Sequence, residues 1–256
     1  MCSGEINRVL SLAIENDTGN HAMISKLAAL AKRVADSRPV LRVVEVFDRR
    51  SDNRMTELGM LSQAFEFIKI NGVDGDYFEF GLWRGKTFTY AHRMKKRFRI
   101  PEMMFWGFDS FQGLPRTDDD KDNIWSQNQF ACSEPELRKI LRRNGFRDNE
   151  YRLVPGFYKD SLNDNLHRHL ANRHAAIVYV DCDLYASAAA VLAFICHYLV
   201  TGTIVCFDDF YNYKGSPDHG EQKAVTEFLR EHPNFMFLPY LDYSPLGKSF
   251  IVQRND

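Results

Sequence analysis

The chain has 256 residues, with 33 Lys and Arg against 34 Asp and Glu and a formal net charge of −1. That length suits one large domain or two small ones and can bury a sizeable core. With 45% hydrophobic and 26% charged residues the composition excludes a disordered or fibrous chain, and the charge balance gives no global pull toward nucleic acid or an anionic membrane.

The first third reads helical. Ile24, Leu27, Ala31 and Val34 form an amphipathic stripe. Val40 to Phe47 suits a strand or a helix, and a further helix is expected from Thr56 to Asn71, closed by Gly72 as its C-cap. After Gly75 the rhythm changes. Asp76 to Phe80 reads as a short buried strand, followed by a turn through Gly81 and Gly85 into a helix ending near Arg99. Met103 to Phe108 is the second strand and ends at Asp109. Residues 116–132 form a polar loop with the acidic run Asp118-Asp119-Asp120 and the aromatics Trp125 and Phe130. Ser133 with Glu136 predicts a capping box for a helix to Arg143.

Arg152 to Pro155 is the third strand, followed by a helix to Ala171. Ala175 to Val180 is the fourth strand and ends at Asp181; Ser187 to Leu199 is a helix. Thr203 to Phe207 is the fifth strand and ends at Asp208-Asp209, ahead of a helix from Glu221 to Glu231. Phe235 to Tyr240 and Ser249 to Gln253 close the chain as two strands. Alternating strands and helices predict a seven-stranded, mostly parallel Rossmann-like sheet with helices on both faces. The last two strands form an antiparallel C-terminal hairpin. A helical N-terminal cap over 1–72 and a core over 73–256 complete the expected organisation.

The five cysteines, Cys2, Cys132, Cys182, Cys196 and Cys206, contain no CxxC pair. They read as a reducing, cytoplasmic set rather than a zinc site. The start, Met1 to Glu5, shows no basic-then-apolar pattern, so no secretion signal is expected. Ala186 to Val200 is too short and too broken to span a bilayer.

Acidic residues stand at or beside four strand ends: Glu79, Asp109, Asp181 and Asp208/Asp209. In open α/β sheets, ligands bind at those carboxyl ends. Glu79-x-Gly81-x-x-x-Gly85 lets the backbone approach a ligand at a helix N-terminus, yet it lacks the GxGxxG of a dinucleotide site. Asp109 is placed to accept from ribose hydroxyls. Asp181, Asp208 and Asp209 could converge on a hard divalent cation such as Mg²⁺, with Asp183 reaching the same cleft or capping the next helix. His219, in the loop after the aspartate pair, is a further candidate contact, whereas His167, His169 and His174 read as surface residues at a helix end.

Five segments in order resemble motifs of the macrocin O-methyltransferase family: Glu79 to Thr87, Gly107 to Pro115, Gly156 to Leu162, Asp181 to Ser187 and Cys206 to Phe210. The resemblance implies a class I S-adenosylmethionine fold and Mg²⁺-dependent methylation of a hydroxyl on a sugar or sugar-bearing natural product. It implies that Glu79, Gly81 and Thr87 hold the methionine end of the cofactor, with Trp83 and Arg84 also among its binding residues. Asp109 and Ser110 would hold its ribose, and Gly156 and Phe157 would flank its adenine. Met55 and Thr56 would close over it, and Asp181 would serve both cofactor and metal. Asp181, Asp208 and Asp209 are the implied metal ligands, and Asp181 or Asp183 the catalytic base. A homo-oligomer with a small hydroxylated acceptor, and no nucleic acid or membrane partner, completes the expectation. Two departures stand out: Lys86 replaces a glycine, and the acceptor-facing segment reads Gly220-Glu221-Gln222-Lys223-Ala224. Other readings are a catechol or phenol O-methyltransferase of the same fold, a non-catalytic nucleotide-binding scaffold and, more weakly, a nicotinamide-dependent dehydrogenase.

Overall fold

A computed structural model describes residues 55–115 and 127–255. The predicted helix around Ile24 to Val34, the segment Val40 to Phe47, Cys2, the run Asp118 to Asp120 and Trp125 lie outside the described residues.

Seven strands build one sheet: β1 (Asp76–Phe80), β2 (Phe105–Asp109), β3 (Tyr151–Pro155), β4 (Ala175–Val180), β5 (Leu199–Phe207), β6 (Phe235–Tyr243) and β7 (Gly247–Arg254). Their spatial order is β3-β2-β1-β4-β5-β7-β6. The first five pair in parallel, whereas β7 is antiparallel to both β5 and β6. This is the expected mostly parallel sheet with a terminal hairpin. The chain runs outward from β1 to β3, then returns to place β4 on the other side of β1. A crevice opens at such a switch of direction.

Burial on both faces explains the near-continuous apolar strands. In β1 all five residues are buried. The alternation of side chains sends Phe78 and Phe80 to one core and Tyr77 to the other. The first core also takes Phe108, Val178, Val180, Val205 and Phe207, packed against helices α6 (Tyr185–Ile195) and α7 (Gly220–Glu231). The second takes Phe105, Ile177, Tyr179, Ile204 and Cys206, packed against α1 (Glu57–Asn71), α2 (Lys86–Arg97) and α3 (Glu134–Arg143).

The α1 helix forms where the periodicity places it. Thr56 caps it by accepting from Gly59 N at 3.1 Å, and the Gly72 N–H returns to Ile68 O in a left-handed cap. The sequence reading assigns α1 to the N-terminal cap. In the structure it lies within the compact unit Asn53–Asp256 and buries Leu58, Met60, Leu61, Ala64, Phe65 and Ile68 against the sheet.

Four local expectations change. The helix expected after Pro155 is two short ones, α4 (Tyr158–Ser161) and α5 (Asp164–His169). Asn163 breaks the run because its side chain caps α5. Ser133 stands at the N-cap of α3, but its side chain makes no capping bond. The β5 strand begins at Leu199 rather than Thr203, and α6 ends at Ile195. The hairpin strands are longer than expected, with a register shift between Pro239 and Asp242.

Phe108 is fully buried and stacks on Phe80 at 4.3 Å between ring centroids. Replacing it with Ala removes this pair and leaves a cavity under the rim of the sheet. Urea unfolding of Phe108→Ala is expected to show a loss of about 3–5 kcal/mol.

Candidate active site

The rim of the sheet is set by register. Phe108, Phe80, Val180 and Phe207 are partners across β2, β1, β4 and β5. Backbone bonds extend the ladder one step further: Gly81 N to Phe108 O at 2.9 Å, Asp181 N to Phe80 O at 2.8 Å and Asp208 N to Val180 O at 2.9 Å. The residues that follow the strands, Gly81, Asp181 and Asp208, therefore stand beside Asp109 at one edge. Gly156 joins them, its N–H donating to Asp109 O at 3.0 Å.

A cavity of about 810 Å³ opens over this edge. Gly81, Trp83, Asp109, Ser110, Gly156 and Phe157 line it together with Asp181, Asp183, Asp208 and Asp209. Gly81 is at φ +87, and a Cβ there would fall on the Asp181 carbonyl. Only glycine permits this approach of two strand ends. A wall folds back from the 110s loop. Leu114 N donates to Gln129 O at 3.1 Å and Asn128 N to Leu114 O at 3.0 Å, which brings Phe130 onto the cavity, edge-on to Trp83 at 5.6 Å.

Asp109 ties this part together. Its Oδ2 accepts Leu82 N at 2.7 Å and Trp83 N at 3.2 Å, and its Oδ1 accepts Phe111 N at 2.7 Å. Burial raises its pKa, and these three amides oppose the rise. Oδ1 keeps acceptor capacity for a further donor. Ser110 Oγ donates to Gly113 O at 2.8 Å and accepts Gln112 N at 3.0 Å, so it shapes the loop as well as lining the cavity.

The acidic wall is crowded. One oxygen from each of Asp181, Asp183 and Asp209 lies within 4.8 Å of the other two. The sequence reading grouped Asp181 with Asp208 and Asp209. Asp183, left open between this cleft and a helix cap, completes a close group with Asp181 and Asp209, at a left-handed backbone of φ 59. Asp208 stands beside it, with Oδ1 taken by the Tyr179 hydroxyl at 2.5 Å. Burial, then the neighbouring acids, push Asp181 well up; burial is also the leading cause at Asp183 and Asp208, raised to about 6, and at Asp209, raised to about 8. A set of hard oxygens that repel one another without a counter-charge fits a divalent cation.

Five predicted cofactor residues are not brought to the cavity wall. Glu79 is fully buried behind the turn, where it accepts Tyr77 OH at 2.5 Å and Thr87 Oγ1 at 2.7 Å. Thr87 is engaged there as its donor. Arg84 pairs with Glu136 at 3.5 Å, Thr56 caps α1, and the Met55 carbonyl accepts Ser244 N at 2.7 Å. His219 does not line the cavity either. It stacks on Tyr213 and meets Ser216 Oγ at 3.0 Å. Sequence reasoning missed Glu221, a buried acid whose Oε2 accepts Asp209 N at 3.1 Å. It occupies the first turn of a helix, where an acid ordinarily reads as a surface partner of the helix dipole.

Burial holds the Glu79 carboxyl up at about 8 against an ordinary 4.5. A carboxyl with a raised folded pKa contributes stability below its unfolded value, and that stability is lost as pH rises through the folded value. The window here is pH 4.5 to 8, at no more than about 1.4 kcal/mol per pH unit. Glu79→Gln is expected to flatten this part of the fall. Urea unfolding at pH 5 and pH 8 checks it: the variant should gain on the wild type at pH 8.

Comparison with known proteins identifies the family. The model of the macrocin O-methyltransferase (TylF) family matches residues 11–234. The chain is 30% identical over 165 residues to mycinamicin III 3''-O-methyltransferase of Micromonospora griseorubida, covering 61% of this chain and 63% of that protein. It is 29% identical over 161 residues to demethyldecarbamoylnovobiocin O-methyltransferase of Streptomyces niveus, covering 59% and 58%. The match thus spans about three fifths of these curated relatives' length. Among solved structures, the fold is similar to the O-methyltransferase NovP (TM-score 0.62, 24% identity, 76% of this chain and 78% of that one). It is also similar to the calicheamicin methyltransferase CalS11 (TM-score 0.65, 21% identity, 97% and 91%). The rim geometry, the five ordered motifs and a family match over most of the sequence lead to one conclusion: the chain belongs to the macrocin O-methyltransferase (TylF) family.

Proposed function

We propose that the chain is an S-adenosylmethionine- and Mg²⁺-dependent O-methyltransferase acting on a hydroxyl of a sugar or sugar-bearing natural product. The observation that carries the reading is one cavity lined both by the Asp181–Asp183–Asp209 group and by Gly81, Asp109, Ser110, Gly156 and Phe157. Membership of the family supports it, as do relatives named mycinamicin III 3''-O-methyltransferase and demethyldecarbamoylnovobiocin O-methyltransferase.

When bound, S-adenosylmethionine supplies a methyl on a sulfonium, and the divalent cation supplies a Lewis acid that makes a bound hydroxyl more acidic. The rest is the work of this chain. Gly81 leaves the rim open beside Asp181. Asp109 Oδ1 takes a ribose hydroxyl, and Gly156 and Phe157 flank the adenine. Asp181 and Asp209 hold the cation, with Asp208 adding charge beside them. The carboxylate wall also favours a cationic sulfonium. Asp183 is the base that takes the acceptor's proton on a carboxylate oxygen. Alignment of oxygen, methyl and sulfur by these fixed walls is the main entropic contribution. Four unpaired cysteines among the described residues accord with a reducing compartment, and a cytoplasmic location and a homo-oligomeric state are part of this proposal.

The test is methyl transfer from labelled S-adenosylmethionine to deoxysugar-bearing acceptors. Product is expected with Mg²⁺ and none with EDTA. Asp183→Asn should lower kcat by about 10²–10⁴-fold, with S-adenosylhomocysteine affinity little changed. Turnover that survives EDTA would sink the cation part of the reading; a protein that binds no S-adenosylhomocysteine would sink all of it.

A further inference from the structure

Two aromatic side chains on the cavity wall have no place in that mechanism. Trp83 is 51% exposed and Phe130 half-buried, and they meet edge-on at 5.6 Å. Both stand on a left-handed backbone, Trp83 at φ 40 and Phe130 at φ 61. Bulky residues rarely adopt that conformation, and it persists only where the surroundings enforce it. Here they do. Trp83 N is tied to Asp109 Oδ2 at 3.2 Å. Phe130 follows Asn128 and Gln129, whose backbones are bonded to Leu114, and Gly113 passes so close that a Cβ there would lie 2.5 Å from Gln129 O.

A ring that merely anchored this wall would gain by burying its whole surface. Trp83 leaves half of its surface open, where the cavity meets solvent. Among the described residues, those that line the cavity and are exposed are Trp83, Gln127, Lys159 and Ala186, and Trp83 is the one aromatic in that set. Leu114, Pro115 and Phe130 line the cavity too. The Leu114–Gln129 bond and the ring contact join them to Trp83 as a continuous apolar corner. Asp183 and Asp209, by contrast, are each 7% exposed. An acceptor hydroxyl delivered to those carboxylates leaves the rest of the acceptor pointing outward, and the apolar surface that meets it there is this corner.

We infer that Trp83 and Phe130 select the acceptor: they take the apolar part it carries beyond the methylated sugar, and so favour a glycoside with a bulky apolar aglycone over a small one. The inference rests on the sugar-acceptor reading proposed above and names the feature of the acceptor that the cavity mouth reads. It moves Trp83 from the cofactor, where the resemblance puts it, to the acceptor. Aromatic walls that shield an apolar group from water are an ordinary source of such discrimination.

Methyl transfer from labelled S-adenosylmethionine to matched acceptors tests it: the methyl and 4-nitrophenyl glycosides of L-rhamnose, L-fucose and D-fucose, with the full chain and Mg²⁺. On each sugar that is methylated, the wild type is expected to show a kcat/KM about tenfold or more higher for the nitrophenyl member, mainly through KM. W83A and F130A should each bring that ratio down toward parity, whereas W83F, which keeps a ring, should retain most of it. A general loss of fold or of cofactor affinity cancels in the ratio. A wild-type ratio near parity, or a ratio unchanged in W83A and F130A, overturns the inference and leaves the methyltransferase reading standing. A weaker S-adenosylhomocysteine Kd in W83A with the ratio intact returns Trp83 to the cofactor and overturns it equally. Wild-type protein that binds S-adenosylhomocysteine but methylates none of these glycosides overturns the inference together with the sugar part of that reading.

Discussion

The structure depends on the alignment of four parallel strand ends. Phe108, Phe80, Val180 and Phe207 are partners in one row, and each strand leaves the sheet at the next residue or the one after it. Side-chain direction alternates along a strand, so a slip of one residue in any pair would turn its terminal acid to the other face. Apolar packing on both faces prevents the slip. Shifting β4 by one position would exchange Val178 and Val180 with Ile177 and Tyr179 between two filled cores. Hydrophobic burial, which has no direction of its own, thereby fixes the placement of charge.

That placement works against the stability of the isolated chain. Asp181, Asp183, Asp208, Asp209 and Glu221 act on one another across a small volume, and burial raises every one of them. The surrounding scaffold compensates locally. The Tyr179 hydroxyl is spent on Asp208, Asn212 on Asp209, and three amides on Asp109. Functional sites commonly concentrate perturbed carboxyls in this way. The left-handed backbone at Asp183 adds to the pattern, a conformation that aspartate tolerates better than most residues.

Much of this was legible in the sequence, and the physical reasons are plain. Strands buried on both faces read as apolar runs, so β1, β2, β4 and β5 could be found, and the acids ending them marked the rim. Thr56 and Gly72 announced both ends of α1. Depth and direction were not legible. Glu79 belongs to a motif, but only the alternation of β1 and the two hydroxyls waiting for it reveal that it points into the core. That Asp183 joins Asp181 and Asp209 in the close group, one of two outcomes its spacing left open, is decided by how the chain folds after β4 and not by residue spacing. Asn163 split a helix through a side-chain bond that competes with the apolar periodicity around it.

The position of β4 has a consequence for how the protein comes to exist. It pairs with β1 at the centre of the sheet, although β2 and β3 lie between them in the chain. Closing so long a loop precedes any reward from the contact and slows folding. Until β4 arrives, Gly81 has no Asp181 carbonyl to approach and the acids of β4 and β5 are scattered. A nascent chain that has made only β1 to β3 owns half of the cavity and none of the acidic centre, so the cavity's chemistry is switched on by the completion of the sheet.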